Sequence, residues 1–195
     1  MLGLLSTRAL LLSSSALALP SIPRANANYP YPVPPTAPGC TDKSTNLTAW
    51  TVGDFDFHSS YTFTTPAHQN SWGYVNFTLT NPAVDYIPVC SAASNQLSDF
   101  FYGTFVYECT VPSTAGKATF TYSRPSGQLQ INQTWSCADE GSRFTAIGGV
   151  NLNLTCDDTT WQNPNWTAGQ IYSTRTVTCG KVTLPAPIEE MSAVL

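Results

Sequence analysis

The chain has 195 residues, of which 10% are charged, and its formal net charge at pH 7 is −4. An excess of acidic side chains repels nucleic acid and anionic membranes, so neither is expected as a partner. The length is sufficient for one domain with its own hydrophobic core.

The N-terminal residues have the features of a secretory signal peptide. Residues 1–18 contain Arg8, a short apolar run and a small-x-small end. The apolar run is too short to cross a bilayer, and the whole pattern is typical of a cleaved signal. We interpret residues 1–27 as this signal, with cleavage after Ala18 or Ala27. Its removal takes away two of the 8 basic residues, which leaves 6 against 12 acidic ones and a net charge of −6.

The segments that flank the predicted domain have distinct compositions. Residues 28–39 include five prolines and are expected to form an extended, proline-rich lead-in. The folded domain is expected at 40–187 and a flexible C-terminal tail at 188–195. Glu189 and Glu190 argue against a hydrophobic anchor signal in that tail. The sequence therefore predicts an extracellular protein without a membrane partner.

Alternation of apolar and polar residues predicts β-strands with one buried face. Around Asn132, for example, Leu129, Ile131 and Trp135 point to the side opposite the asparagine. The alternation changes parity at Gly53, which predicts a β-bulge. Strands are predicted at 49–58, 61–65, 72–80, 86–90, 101–109, 118–123, 128–136, 144–155 and 172–184, and a single helical turn at 92–100. Short strands separated by turns predict an all-β fold, either a compact antiparallel β-barrel or a barrel-like sandwich.

Five Asn-x-Thr sequons indicate N-glycosylation of an exported chain. Asn76, Asn132 and Asn153 fall on the polar side of alternating strands, where a glycan is accessible. Asn46 and Asn165 lie in turn-like sequence. The sequence therefore predicts a secreted glycoprotein.

Six cysteines lie beyond the predicted signal peptide. An even number in an oxidising compartment predicts three disulfides. A metal site is not expected, because the chain lacks the closely spaced Cys-x-x-Cys pairs that such sites use. Six cysteines allow fifteen pairings, and their spacing does not choose among them. They are Cys40, Cys90, Cys109, Cys137, Cys156 and Cys179.

Seven short motifs occur in a particular order along the predicted domain. They are WTVGDF from Trp50, WGYVNF from Trp72, VCSA from Val89, YEC from Tyr107, ATFTY from Ala118, SGQL from Ser126 and VTLP from Val182. Their order resembles the fungal family typified by the major Alternaria allergen. The resemblance implies a compact β-barrel that is secreted by filamentous fungi and acts as an allergen or as an effector on plants. It does not imply an enzyme.

The resemblance also implies a disulfide pattern. The two core pairs of the family correspond to Cys90–Cys109 and Cys156–Cys179. The leading cysteine of the family, which can link two subunits, corresponds to Cys40. This chain adds Cys137, so that Cys40–Cys137 can close internally. Both a monomer and a dimer remain open.

No catalytic motif stands out in the sequence, and no cofactor is expected. His58 and His68 are interpreted as lone surface histidines. Asp54, Asp56 and Glu108 are the acids that a glycosidase pair would need, and we interpret them as solvated side chains on the barrel exterior.

Two tryptophans are the candidate binding surface. Trp161 and Trp166 lie in the polar segment 157–169, predicted as a loop, where exposed indoles can contact a sugar or a protein. The alternative is that they fold over an open barrel end as a lid. The other three tryptophans are predicted to be in the core, namely Trp50, Trp72 and Trp135.

The function predicted from these features is binding at a host or cell-wall interface, without catalysis, by a secreted fungal glycoprotein of the allergen or effector type. The expected partner is a host protein, a small molecule or a cell-wall glycan. The alternative is a secreted carbohydrate-active protein, either a β-sandwich glycoside hydrolase or a carbohydrate-binding module.

Overall fold

A computed structural model describes residues 37–95, 101–112 and 116–195. The predicted signal peptide and most of the proline-rich lead-in lie outside the described residues. The helices are α1 (Cys40–Thr45) and a 3-10 turn (Ala138–Glu140). The strands are β1 (Ala49–Thr65), β2 (His68–Thr80), β3 (Val89–Ser94), β4 (Tyr107–Thr110), β5 (Gly116–Ser123), β6 (Gln128–Cys137), β7 (Ser142–Asn151), β8 (Cys156–Gln162), β9 (Ser173–Cys179) and β10 (Val182–Val194).

Eight of the strands form a closed antiparallel barrel, as the sequence predicts. The first seven are hydrogen-bonded in chain order, β10 pairs with β7, and β10 also pairs with β1 to close the ring. Closure leaves no free edge within the ring. The remaining two strands, β8 and β9, lie outside it and extend the sheet from β1.

Strand β1 belongs to both parts of this architecture because it changes partner along its length. Its first half pairs with β10 from Ala49 to Phe55, and its second half pairs with β9 from His58 to Phe63. The register shifts between the halves, so the bulge predicted at Gly53 is confirmed. The residue with left-handed backbone is Asp54, at φ 52°, a conformation that aspartate tolerates better than most residues.

The barrel core is aromatic, and it follows the predicted alternation. Phe55 contacts Phe77 and Tyr122, with ring centroids 5.7 and 5.1 Å apart. Trp135 stacks on Phe144 at 5.5 Å, and Trp50 is also buried. Each buried aromatic side chain contributes roughly 1.5–3 kcal/mol relative to an exposed one.

The short helix α1 is held against the Cys137 end of β6 and was not predicted. Trp135 donates its indole N–H to the buried Ser44 hydroxyl at 2.8 Å. The Glu140 carboxylate accepts hydrogen bonds from the backbone N–H groups of Cys40 and Thr41 at 2.9 and 3.0 Å, which are donors that a helix start leaves without partners. The helical turn predicted at 92–100 is wrong where it is described, because Ala92 to Ser94 belong to β3.

The C-terminal third of the domain differs most from prediction. The segment predicted as a loop from 157 is strand β8 up to Gln162. The single strand predicted at 172–184 is two strands, β9 and β10, because each pairs with a different half of β1. The tail predicted from 188 is also wrong, since residues 188–194 are paired with β7.

Three disulfides join the six cysteines. Two are the core pairs that the resemblance implies, and the third is the internal bond that the additional Cys137 makes available. Cys90 and Cys109 are directly opposite on β3 and β4. Cys156 and Cys179 are directly opposite on β8 and β9. Cys40 of α1 is joined to Cys137 of β6.

Candidate functional site

Strands β8, β9, β1 and β2 present one continuous surface to solvent. Directly opposite residues of antiparallel strands share a face, and the registers define three rows of side chains on this one. We call this surface the outer face. From β8 to β2, its first row is Trp161, Thr174, Thr62 and Asn70. Its second row is Thr159, Thr176, Ser60 and Trp72, and its third row is Asp157, Thr178, His58 and Tyr74.

Two exposed tryptophans stand on the outer face. Trp161 is 52% exposed and Trp72 is 51% exposed. Trp72 stacks on Tyr74 with the ring centroids 6.0 Å apart and the planes 8° from parallel. The prediction that Trp72 is a core residue is therefore wrong. Its position explains why, since the buried residues of β2 are at odd positions such as Val75 and Phe77.

A polar chain holds Tyr74 in place beside Trp72. The Tyr74 hydroxyl and His58 Nδ1 are 3.1 Å apart, and His58 Nε2 is 2.8 Å from Asp56 Oδ1. Asp56 is 9% exposed, so its interpretation as a solvated acid is wrong. The interpretation of His58 as a lone surface histidine is wrong. His68 contacts the Thr64 hydroxyl at 2.8 Å on the exposed β1–β2 turn.

Trp166 has a different role from Trp161, although the sequence groups them. Its indole N–H donates to the backbone oxygen of Gln170 at 2.9 Å, and its ring meets Tyr172 edge to face. Trp166 therefore organises the tip of the β8–β9 hairpin. Trp161 points to the outer face and Trp166 packs on Tyr172 within the hairpin, so neither tryptophan is buried.

The acids considered for catalysis are dispersed and engaged in different contacts. Asp54 is exposed at the bulge, where its backbone N–H donates to the Thr183 hydroxyl at 2.9 Å. Glu108 pairs with Lys117 at 2.8 Å, and this hydrogen bond and the lysine charge lower the pKa of the Glu108 carboxyl. A general acid at neutral pH requires a shift in the opposite direction.

The described residues include no group of three or more His, Cys, Asp or Glu side chains placed to hold a metal ion. Among the same residues, no helix has the length and apolar character that a membrane span requires.

Comparison with protein families identifies the chain. The model of the Alternaria alternata allergen 1 family matches residues 52–179. The chain belongs to this allergen family. Comparisons with curated proteins and with solved structures gave no match. The family match and the three disulfides are consistent with an extracellular protein.

The matched region of the allergen family contains the whole outer face. It runs from β1, just before the bulge, to Cys179 at the end of β9. Helix α1 and strand β10, which complete the barrel, lie beyond it. The fold and the family thus agree, and they do not favour the alternative of a β-sandwich hydrolase or carbohydrate-binding module.

All five sequon asparagines of this allergen-family chain are exposed, and one of them borders the outer face. Asn76 lies opposite Asp56, next to the row that contains Tyr74. Asn165 is exposed at the hairpin tip. Asn46 and Asn132 lie on the remaining surface, and Asn153 lies in the segment after β7 that lines a cavity on the inner side of β8 and β9.

Proposed function

We propose that this protein is a secreted allergen-type protein that binds at a host or cell-wall interface without catalysis, and that its outer face binds a neutral cell-wall polysaccharide. The observation that supports this most is the pair of exposed indoles, Trp72 and Trp161, on one face among hydroxyl side chains. Aromatic rings offer flat apolar surfaces to the C–H faces of sugars, and hydroxyls can exchange hydrogen bonds with sugar hydroxyls.

The separation of the indoles favours a polymer over a single sugar. Trp72 is on β2 and Trp161 is on β8, which are three strand spacings apart. At about 4.8 Å per spacing, this places the two backbones roughly 14 Å apart. A ligand that contacts both rings must extend along the sheet in a direction that crosses the strands, as a glycan chain can.

The charge of the outer face also favours a neutral ligand. It contains no Lys or Arg, and its ionisable members are Asp157, His58 and Tyr74. Its central positions are Thr and Ser, which match a hydroxyl-rich polymer better than a phosphate-rich or sulfated one.

Binding without catalysis is supported by the state of the carboxyl groups. The Asp56 carboxylate is buried and lies 2.8 Å from His58, and Glu108 is on β4, which lies outside the four strands of the outer face. Retaining and inverting glycosidases both require two carboxyl groups that flank one bond, and the outer face has no such pair aimed at a cleft.

A sedimentation assay with insoluble polysaccharide tests the proposal. Secreted protein is mixed with particles of cellulose, chitin or β-1,3-glucan, and the bound fraction is measured against protein concentration. We expect saturable binding to at least one polymer. The variant with both Trp72→Ala and Trp161→Ala should lose at least about tenfold in affinity, equivalent to about 1.4 kcal/mol.

A matched control is available at Ile87. This side chain is 52% exposed, as the two tryptophans are, but it lies in the β2–β3 connection at the far end of β2. Ile87→Ala should bind as the wild type does. All variants should keep their thermal midpoint within a few degrees, because the deleted rings are half exposed and leave no closed core cavity.

Two results would contradict the proposal. The first is that no neutral polysaccharide binds, that a host protein binds instead, and that the double variant loses binding of this protein. In that case the ligand class is wrong and the outer face is a protein interface. The second is that a polysaccharide binds equally well to wild type and double variant, in which case the outer face is not the site.

A further inference from the structure

The opposite side of the same wall carries a second feature, a cavity of 460 Å³. It lies between the inner side of β9 and β8, the turn that joins β5 to β6, and the chain segment that follows β7. Its volume is within the range of small-molecule sites. It is separate from the outer face, because neighbouring residues along these strands point to opposite sides.

Two arginines flank one aromatic ring at this cavity. The Arg175 guanidinium carbon is 5.5 Å from the centre of the Tyr61 ring, and that of Arg124 is 5.9 Å from it. Arg124 also donates a hydrogen bond to the Tyr61 hydroxyl. Tyr61 is 7% exposed, so it fixes both guanidinium groups at the cavity wall.

The lining has one carboxylate against these two cations. Asp158 accepts hydrogen bonds from Arg175 Nε at 2.8 and 3.0 Å. These hydrogen bonds lower the pKa of the Asp158 carboxyl, and the charge of Arg124 adds to the effect. The cavity therefore has a formal charge of +1 from its lining residues, in a chain whose net charge is −4.

The rest of the lining is largely apolar. Phe57 and Tyr122 form part of the wall and are at most 2% exposed. The Cys156–Cys179 disulfide and Leu152 form another part. Burial raises the pKa of Tyr122 to about 12, so this phenol stays neutral and contributes no competing negative charge.

We propose that this cavity binds a small organic anion, a carboxylate or sulfonate attached to an apolar body. The anionic group lies between Arg124 and Arg175, where guanidinium groups form strong charge-assisted hydrogen bonds. The apolar body lies against Phe57 and Leu152. Asp158 competes with the ligand for Arg175, and it keeps that arginine in position when the cavity is empty.

A pair of fluorescent probes tests the charge requirement. Anilinonaphthalene sulfonate has an apolar ring system and one anionic group, and phenylnaphthylamine has the same rings without the sulfonate. Both are titrated into the secreted protein under native conditions, with circular dichroism as the check that the barrel is folded. We expect the sulfonate to bind at least tenfold more tightly than the neutral probe.

Charge-neutralising variants then locate the site. Arg124→Gln and Arg175→Gln should each weaken sulfonate binding about tenfold and leave the neutral probe unchanged. Asp158→Asn should tighten sulfonate binding at least threefold, because it removes the competing carboxylate. Arg143→Gln on β7 removes the same charge from an exposed position outside the cavity and should have no effect.

Three outcomes overturn the assignment. The first is that the sulfonate does not bind, or binds no better than the neutral probe. The second is that Arg143→Gln weakens it as much as the cavity arginines do, which indicates a general effect of charge. The third is that Asp158→Asn fails to tighten binding. None of these outcomes bears on polysaccharide binding by the outer face.

Discussion

Removing two of the disulfides separately tests the division of the protein into a closed ring and an attached hairpin. One variant replaces Cys90 and Cys109 with Ala, and the other replaces Cys156 and Cys179. The bonds span similar distances in sequence, 19 and 23 residues. Chain entropy in the unfolded state therefore assigns them nearly the same stabilisation, about 3.3 and 3.4 kcal/mol.

The structure predicts unequal losses. In the described part of the chain, β4 is paired with β3 at two positions and with β5 at two, so the ring is weakest there. The Cys90–Cys109 disulfide spans this seam, and Cys90 is fully buried. Loss of this disulfide should lower the free energy of unfolding by the full chain-entropy contribution, about 3 kcal/mol. The small void left by the sulfur atoms should make the loss slightly larger.

The second disulfide is at the edge of the sheet. Every residue of β8 is exposed, and β8 pairs only with β9 among the described strands. Without Cys156–Cys179, the hairpin can open locally while the ring stays closed. The native state then gains conformational entropy as well as the unfolded state, and this offsets part of the loss of stability. We expect the global loss to be below about 1 kcal/mol, together with disorder of β8.

Urea unfolding and native-state hydrogen exchange distinguish the two outcomes. The first variant should shift the urea midpoint strongly, and the second should shift it little while the amides of β8 and β9 lose protection. Equal losses of stability in the two variants would refute the reasoning. Retained protection of β8 in the second variant would refute it as well.

Two further predictions concern acid stability and glycosylation. Hydrogen bonds from Thr41, and then from the Cys40 backbone, lower the pKa of the Glu140 carboxyl. Its contribution to stability is therefore present above its usual pKa of 4.5 and is lost as the pH falls through the lowered value. Glu140→Gln should flatten the pH dependence of unfolding in this range, and Glu189→Gln should not. For glycosylation, digestion of the secreted protein with an endoglycosidase should reduce its mass; an unchanged mass would contradict glycans at Asn76, Asn132 and Asn153.

The sequence predicted the barrel well where one face of a strand is buried. Strands β5, β6 and β7 and the second half of β2 alternate between buried and exposed positions, and most of the buried ones are apolar. Gln133 of β6 is a buried polar exception, and it accepts a hydrogen bond from Asn81. The bulge could be predicted for the same reason. The apolar residues Trp50 and Val52 before Gly53 and Phe55 and Phe57 after it are at positions of opposite parity, and all four are buried. The alternation also predicts that Trp72 is exposed, because Trp72 is on the same side of β2 as Asn76. The prediction that it is buried came from its residue type.

The hairpin and the chain end were missed because their pairing is not encoded in hydrophobic alternation. Strand β8 is exposed on both sides and has no apolar pattern. Its position follows from partner-strand hydrogen bonds and from the bond between Cys156 and Cys179, which are non-local. At the chain end, a register shift between Ile188 and Glu190 breaks the pattern that would reveal β10.

The two proposed sites both arise because β1 is longer than the barrel wall requires. A strand confined to the ring has one face in the core and only one available to a ligand. Beyond the bulge at Asp54, β1 exchanges β10 for β9, and the sheet of β1, β9 and β8 acquires a second face that the core does not fill completely. The outer side then carries Trp72 and Trp161, and the inner side places Arg175 against Tyr61. Shortening the β8–β9 hairpin should therefore remove both sites at once while the eight-stranded ring remains folded.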